Sequence, residues 1–465
     1  MKRTLTSLLA VFILPVSVRC APETQDSSRP NVLFIYMDDW GWGDLSCHGH
    51  PNFKTPNVDR LAREGIDFQQ FNVVSPVCSP SRVGAITGRF PSRYSIRHAL
   101  ATVEENRQYG QCDWLDPQAI TTARLFQQAG YATGHFGKWH LGKGNELSTA
   151  LYGYDESSTW GGPAIGGKED EVDRHGVYDR TVEFIRAHKE GPFYVELWPH
   201  ETHAPQVPTE QSMREYAHLD ERHRPYAASI ADGDKGIGRV LNALEELGLE
   251  RNTIVMFSSD NGPEVSRNRK EIRGGYGTYY STGSTGGLRG WKRSLFEGGV
   301  RVPMIVRWTG HAPAGIKNEA TVLTAVDLLP TLCFAAGVSL PKGYEADGEN
   351  LLDAFLGKPV TRTKPVFWEC ADVASGGDYW PRVAVRDGDW KLLMDRQGGR
   401  RELYHLSEDR AEAREVGAAH PEIVDRLTRL AMEWRATLPK QPNPAFCATQ
   451  TPKRPKLREK SKANP

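Results

Sequence analysis

The chain has 465 residues, of which 25% are charged and 39% hydrophobic, and its 58 basic side chains equal its 58 acidic ones. This composition describes an ordinary globular protein, long enough for one large domain plus a smaller one or for three small ones. Zero formal net charge gives no support for nucleic acid or membrane surfaces as general partners.

In chain order, Lys2 and Arg3 precede an apolar run from Leu8 to Val18, too short to span a bilayer comfortably. Residues 1–20 read as a secretory signal peptide with cleavage near Cys20 or Ala21, so export to the periplasm or the outside is expected. Cys20 also opens a lipoprotein reading, against which Arg19 stands. No other stretch is apolar enough to predict membrane insertion. Seven cysteines, at 20, 47, 78, 112, 333, 370 and 447, show no zinc-like spacing. Export permits disulfides, although a chain of this length does not need them for a core. Six remain if Cys20 leaves with the signal, an even number that does not decide the state of Cys78.

"NVLFIYMDD" (Asn31–Asp39) is a continuous apolar run that ends in two carboxylates. "TIVMFSSDNG" (Thr253–Gly262) is a second, ending in Asp260 and Asn261. "PFYVELWPHETHAP" sets His200 and His203 after a β-rich run, and "YATGHFGKWHLG" sets Lys138 and His140 after a fourth. Runs of this kind are typical of parallel strands buried on both faces. Helices are predicted between them, one with Thr55 as N-cap, Pro56 at the first position and Gly65 as stop. Another has Asp116 as N-cap, Pro117 and a stop at Gly130. The alternation predicts an open α/β sheet with helices on both faces, whose ligands bind beyond the carboxyl ends of the strands. A lone Asp-Asn or His at such a place is ordinarily a cap or a turn. Four strand ends bearing ligand and proton-transfer groups together are harder to assign to turns alone.

Asp38, Asp39, Asp260 and Asn261 offer oxygen donors only, the preference of Ca²⁺ or Mg²⁺. Arg82, Lys138, His140, His203 and Lys292 supply a basic cluster beside them. In "VCSPSRVGAITGR" (Val77–Arg89), Ser79 suits an N-cap and Pro80 a first helical position, predicting a helix to about Gly88. Cys78 then lies just before a helix start, where a lowered pKa and real reactivity are expected. Spacing alone makes it a candidate nucleophile.

Towards the C-terminus, "TAVDLLPTLCFAAG" predicts a helix closed by Gly337. From about Lys364, "PVFWEC", "RVAVRDGDWKLLM" and "RRELYHL" read as a small antiparallel sheet. An amphipathic helix follows with Ile423, Leu427, Leu430 and Trp434 near one stripe. The expected divisions are a large domain over 30–360, a small one over 364–440 and a basic tail over 450–465. Glu264–Gly286, with Arg267, Arg269, Lys270 and Arg273, reads either as a basic, glycine-rich binding loop beside the site or as a solvent-exposed one. Trp160 is a candidate stacking platform beside it.

Cys78-Ser79-Pro80-Ser81-Arg82 with the trailing Thr-Gly-Arg resembles the signature of the type I, formylglycine-dependent sulfatases. The resemblance covers nearly the whole mature chain. "GKWHLG" (Gly137–Gly142), "FSSDNGP" and "GGLRGWKRSLFEGGVRVP" (Gly286–Pro303) are similar to further segments of that family, in its order. It implies an alkaline-phosphatase-like α/β fold, a large mixed sheet flanked by helices, with a smaller C-terminal α+β domain carrying an antiparallel sheet. It also implies that a maturation enzyme oxidises Cys78 to Cα-formylglycine, whose hydrate attacks sulfur and then expels sulfate without a second nucleophile. By the same resemblance Asp38, Asp39, Asp260 and Asn261 hold one Ca²⁺, and Arg82 and Lys138 hold the hydrated aldehyde. His140 is implied as the base of the elimination, with His203 and Lys292 on the sulfate and leaving oxygen. His200 is left outside that set. The closest look is to arylsulfatase and N-acetylgalactosamine-6-sulfatase-like members, implying a sulfated saccharide substrate. A phosphate or phosphonate monoester hydrolase, or an inactive sugar-binding relative on the same fold, are the alternatives. Oligomeric state is not legible.

Overall fold

Asn31–Met37 (β1) is buried at every residue, and its side chains alternate between two separate apolar clusters. Val32, Phe34 and Tyr36 face one; Leu33, Ile35 and Met37 face the other. A strand apolar on both faces needs cover on both, and the fold supplies it. The structure, a computed structural model, describes residues 29–142, 148–160, 174–266, 275–371 and 380–448. The signal-peptide reading with Cys20, the Trp160 side chain, the basic run Arg267–Arg273 and the tail over 450–465 lie outside the described residues.

The other strands of the large sheet are Ile66–Phe68 (β2), Ala132–Lys138 (β4), Glu156–Trp160 (β5), Phe193–Trp198 (β6), Thr253–Ser259 (β7), Met304–Arg307 (β8) and Ile316–Asn318 (β9). Phe71–Asn72 (β3) and Leu323–Thr324 (β10) form a separate two-stranded pair. The eight strands run in the order β5-β4-β6-β1-β7-β8-β2-β9. Only β8 is antiparallel to its neighbours, which makes the sheet mixed. Helices Pro56–Glu64, Gly176–Ala187 and Arg224–Glu246 pack together on one face. Cys78–Thr87, Thr122–Gln128 and Leu328–Ala335 contact each other on the opposite face.

Register positions the site. β4, β6, β1 and β7 are adjacent and parallel, so their carboxyl ends lie along one edge. Met37 pairs with Ser259 at the last step of the β1–β7 ladder. The next two residues of each strand, Asp38-Asp39 and Asp260-Asn261, therefore leave the sheet side by side.

Val366–Glu369 (β11), Val383–Asp387 (β12), Trp390–Met394 (β13) and Arg401–His405 (β14) form the four-stranded antiparallel sheet. It belongs to the same apolar cluster as the helix bearing Cys78. Trp368 donates its indole N–H to the Val73 carbonyl at 2.7 Å, and Phe367 stacks on Trp434 with centroids 4.8 Å apart. The Pro421–Ala436 helix buries Val424, Leu427, Ala431 and Trp434. Ile423 and Leu430 of the expected stripe are only half-buried, because the core sits about one residue around the helix from them.

Two helix starts differ from expectation. The Thr122–Gln128 helix is capped by Thr121, whose hydroxyl accepts from Arg124 N–H at 3.1 Å; Asp116 instead closes a turn before it. The Cys78–Thr87 helix takes Val77 as its N-cap, so Cys78 is its first residue and Ser79 lies inside it. Pro80 still falls in the first turn, where its missing N–H costs nothing. Gly88 ends the helix in the left-handed region at φ 66°, the conformation that glycine adopts without a Cβ penalty. All ten residues of this helix are buried.

Candidate active site and metal centre

The four strand ends meet around Cys78. Lys138 Nζ lies 3.3 Å from Cys78 Sγ and 2.8 Å from Asp38 Oδ2. Cys78 Sγ lies 3.4 Å from Asp38 Oδ1. Arg82, one helical turn after Cys78, donates through Nε and Nη2 to Asp260 Oδ2 at 3.1 and 2.7 Å and through Nη1 to the Lys138 carbonyl at 3.0 Å. Its guanidinium lies 4.9 Å from the Trp198 ring centroid, so an aromatic face orients the buried cation. Lys292 reaches Asp39 Oδ2 at 2.6 Å.

Asp38, Asp39, Asp260 and Cys78 offer ligand atoms all within 4.8 Å of one another, all buried. Asn261 completes the oxygen set. Its amide nitrogen donates to Asp39 Oδ1 at 2.7 Å, while its Oδ1 is buried with no hydrogen-bond partner. An orphaned amide oxygen beside three buried carboxylates is what a hard divalent cation would satisfy. The four predicted residues fit such an ion.

The charges are arranged to keep the acids ionised where they meet cations. Burial by itself would raise Asp38, yet Lys138, His203 and His200 outweigh it and hold the carboxyl well below the usual range. Burial also opposes Asp39, where the Lys292 ammonium prevails and lowers it. Asp260 goes the other way: burial and then the Asp38 charge push it up to about 7 against the pull of Arg82. A divalent ion among these groups would relieve that repulsion.

Burial pushes His140, His200 and His203 towards the neutral form. Burial, then the Lys138 charge, holds His140 well below its ordinary value and takes His203 down to about 3. His140 Nε2–H donates to the Leu100 carbonyl at 2.8 Å, which leaves Nδ1 as the acceptor; that atom is buried without a partner. His203 is held through Nδ1–H to the Ala204 carbonyl at 2.8 Å and feels the charges of Lys138, Lys292, Asp38 and Asp39.

All ten predicted site residues thus come together at one sheet edge. His200, left outside the predicted set, belongs with them. Its Nδ1–H donates to Asp38 Oδ2, and its ring stacks on His203 with centroids 4.6 Å apart. Thr202 adds a bond to the Asp38 carbonyl. Two histidines three residues apart after a strand give no sequence signal for which one meets a carboxylate from another strand.

The expected low pKa of Cys78 is reversed. Burial and then the Asp260 charge push the thiol far up, against Lys138 and Lys292. The helix start is present, but desolvation next to carboxylates outweighs it. As a thiol, Cys78 is a poor nucleophile at neutral pH.

Strain is concentrated at this edge. Among the described residues, five non-glycine residues have positive φ, and they include Asp39 at 65°, His140 at 56° and Arg293, next to Lys292, at 75°. Such conformations cost about 1–3 kcal/mol each and persist only where the surroundings enforce them.

A model of the Sulfatase family matches residues 30–338, and one described as N-sulphoglucosamine sulphohydrolase, C-terminal, matches residues 287–436. Arylsulfatase A of Homo sapiens is 30% identical over 471 residues, covering 87% of each chain. N-acetylgalactosamine-6-O-sulfatase of Bacteroides thetaiotaomicron is 27% identical, covering 87% of this chain and 93% of that one. Among solved structures, Ps i-CgsB in complex with k-i-k-neocarrahexaose superposes with a TM-score of 0.77 at 24% identity, covering 91% of this chain and 96% of that one. The chain belongs to the formylglycine-dependent sulfatase family. Its fold is alkaline-phosphatase-like, and its activity class is that of a sulfuric ester hydrolase.

Proposed function

We propose that this protein is an exported, calcium-dependent sulfatase that hydrolyses sulfate esters of a saccharide, with Cys78 carried as Cα-formylglycine after action of a maturation enzyme. The observation that carries the reading is the convergence of Cys78, Lys138, Arg82 and Lys292 on the carboxylates Asp38, Asp39 and Asp260. The similarity to an N-acetylgalactosamine-6-O-sulfatase and to a protein solved with k-i-k-neocarrahexaose supports the saccharide part. The basic-then-apolar N-terminus, Lys2 to Val18, supports export.

The three cations and three carboxylates of the site cancel formally. A Ca²⁺ held by Asp38, Asp39, Asp260 and the Asn261 amide oxygen would supply fixed positive charge where the sulfate oxygens develop negative charge. Carried as the aldehyde hydrate, residue 78 supplies two hydroxyl groups, one to attack sulfur and one to give up its proton as sulfate leaves.

The chain's own residues do the rest. Lys138, 3.3 Å from the residue-78 side-chain atom, steadies an oxygen there as it gains charge, and Arg82 holds Asp260 in place behind it. His140, neutral with Nδ1 as acceptor, takes the proton of the elimination. Lys292 and His203 meet the bridging oxygen of the ester. A sulfate oxygen beside His203 raises that imidazole's proton affinity, because it places negative charge where Lys138 and Lys292 now depress it. His200 orients Asp38.

Peptide mapping and a substrate panel test the reading together. The peptide containing Cys78 should weigh about 18 Da less than its thiol form, as expected for oxidation of thiol to aldehyde. The same preparation should release sulfate from defined sulfated oligosaccharides faster than phosphate or phosphonate from matched esters. An unmodified thiol in active enzyme would overturn the nucleophile, and a preference for phosphorus esters would overturn the substrate class.

A further inference from the structure

Two cysteines that play no part in the site are brought together from distant parts of the chain. Cys112 lies in the loop after the Val103–Gln108 helix, and Cys447 follows the short Pro444–Phe446 turn beyond the C-terminal helix. Their backbones are joined: Asp113 N–H donates to the Phe446 carbonyl at 2.8 Å, and Ala448 N–H donates to Asp113 Oδ2 at 2.7 Å. Both thiols converge on one carbonyl, Asn443 O, with Cys447 Sγ at 3.3 Å and Cys112 Sγ at 4.0 Å. Each thiol is near enough to act on the other's charge.

Two residues whose flanking peptides share a hydrogen bond, with side chains turned to the same acceptor, are set side by side as a disulfide requires. The loop is anchored from its own side, since Asn106 donates to Asp113 Oδ1 at 2.7 Å and Cys112 N–H donates to Ser95 O at 3.0 Å. Cys47, Cys78, Cys333 and Cys370 are the other described cysteines, and Cys78 is already committed to the site.

We propose that Cys112 and Cys447 form a disulfide that fastens the C-terminal segment to the catalytic domain. In the cell this rests on the export reading, because such bonds persist in oxidising compartments. The oxidant is a disulfide compound. Cys447, the more accessible of the two, gives up its proton and attacks one sulfur of the oxidant, releasing a thiolate. Cys112, buried, then loses its proton and displaces the second thiolate from Cys447. Two electrons pass to the oxidant, which leaves as two thiols, and one S–S bond joins the chain. Burial pushes the Cys112 thiol up to about 12, so the second step is the slow one.

Purified full-length protein, incubated with a glutathione–glutathione disulfide buffer, alkylated and digested without reduction, tests the pairing. The expected product is one peptide pair joined through residues 112 and 447, about 2 Da below the sum of its parts and separated by reductant. Cys447→Ser should abolish it and return Cys112 as an alkylated thiol. Recovery of both thiols at equilibrium, or arrest at a mixed glutathione disulfide on Cys447, would overturn the proposal. The same map on protein isolated from its host separates the two readings. A bond that forms in the buffer yet is absent in host-derived protein overturns export and leaves the pairing standing.

Discussion

Asn261 donates its amide to Asp39 across 2.7 Å although 222 residues separate them. The contact is a continuation of the β1–β7 ladder, whose last pair is Met37 with Ser259. The other amide atom of Asn261, Oδ1, is buried without a partner. Asn261→Ala removes one oxygen donor while leaving every charge in place. Calcium content by elemental analysis should fall at limiting calcium, and the rate should drop by about 10²–10³, the usual loss for one electrostatic stabiliser. Chelation of the unmodified protein should have the same effect and calcium should restore it. An undiminished rate in calcium-free buffer would sink the metal assignment.

Lys138 bridges Cys78 and Asp38, and burial has not discharged it because the Asp38 charge raises its pKa. Lys138→Met keeps most of the volume and removes the donor. The rate constant should fall by about 10²–10³ with a smaller change in KM, since the charge it serves develops in the transition state. A change confined to KM would mean that Lys138 only binds substrate.

Glu201, between His200 and Thr202, gives a pH signature unconnected with turnover. Burial pushes its carboxyl from 4.5 to about 7, against the Tyr178 hydroxyl and the neighbouring His175. Its folded pKa is above the unfolded one, so its contribution to stability is full below about pH 4.5 and is lost as pH rises through about 7. Denaturant titrations should show Glu201→Gln gaining on the unmodified protein between those limits, by on the order of 3 kcal/mol at most, and no further above them. A constant difference across that range would mean the carboxyl is not raised.

Gly262 follows Asn261 and receives the chain segment that carries Lys292. A Cβ there would stand 1.9 Å from the Gly298 carbonyl oxygen, and Gly262 N–H donates to the Gly299 carbonyl at 2.9 Å. Neither backbone can yield alone. Gly262→Ala should destabilise the fold by about 1–3 kcal/mol as an overpacked core contact does, and lower activity more than Gly191→Ala, where nothing stands near and the backbone is unstrained. Equal melting temperatures for the two variants would contradict the packing.

The sheet edge was legible because each of its four strands declares itself twice, by an apolar run and by the polar pair that ends it. "NVLFIYMDD" and "TIVMFSSDNG" carry the same pattern. What one sequence does not carry is information about distance in space. His200 meets Asp38 across 162 residues, and nothing within "HETH" selects it over His203. The pKa of Cys78 was misread for a related reason. A helix start is a local feature visible in "CSPSR", whereas the carboxylates that outweigh it arrive from Asp38 and Asp260. The start of the Thr122–Gln128 helix was misplaced because Asp116-Pro117 and Thr121-Thr122 both satisfy local capping rules, and Thr121 also binds the Tyr152 carbonyl at 2.6 Å, a tertiary tie.

The burial of the helix that begins at Cys78 sets a timetable. A second enzyme has no access to residue 78 once Cys78–Thr87 is wound and covered at all ten positions. If residue 78 is converted as proposed, that step would belong to the interval between synthesis and folding. On that reading, a chain that folds unmodified would keep a buried thiol, and the rate at which the sheet closes over this helix would set the share of active protein.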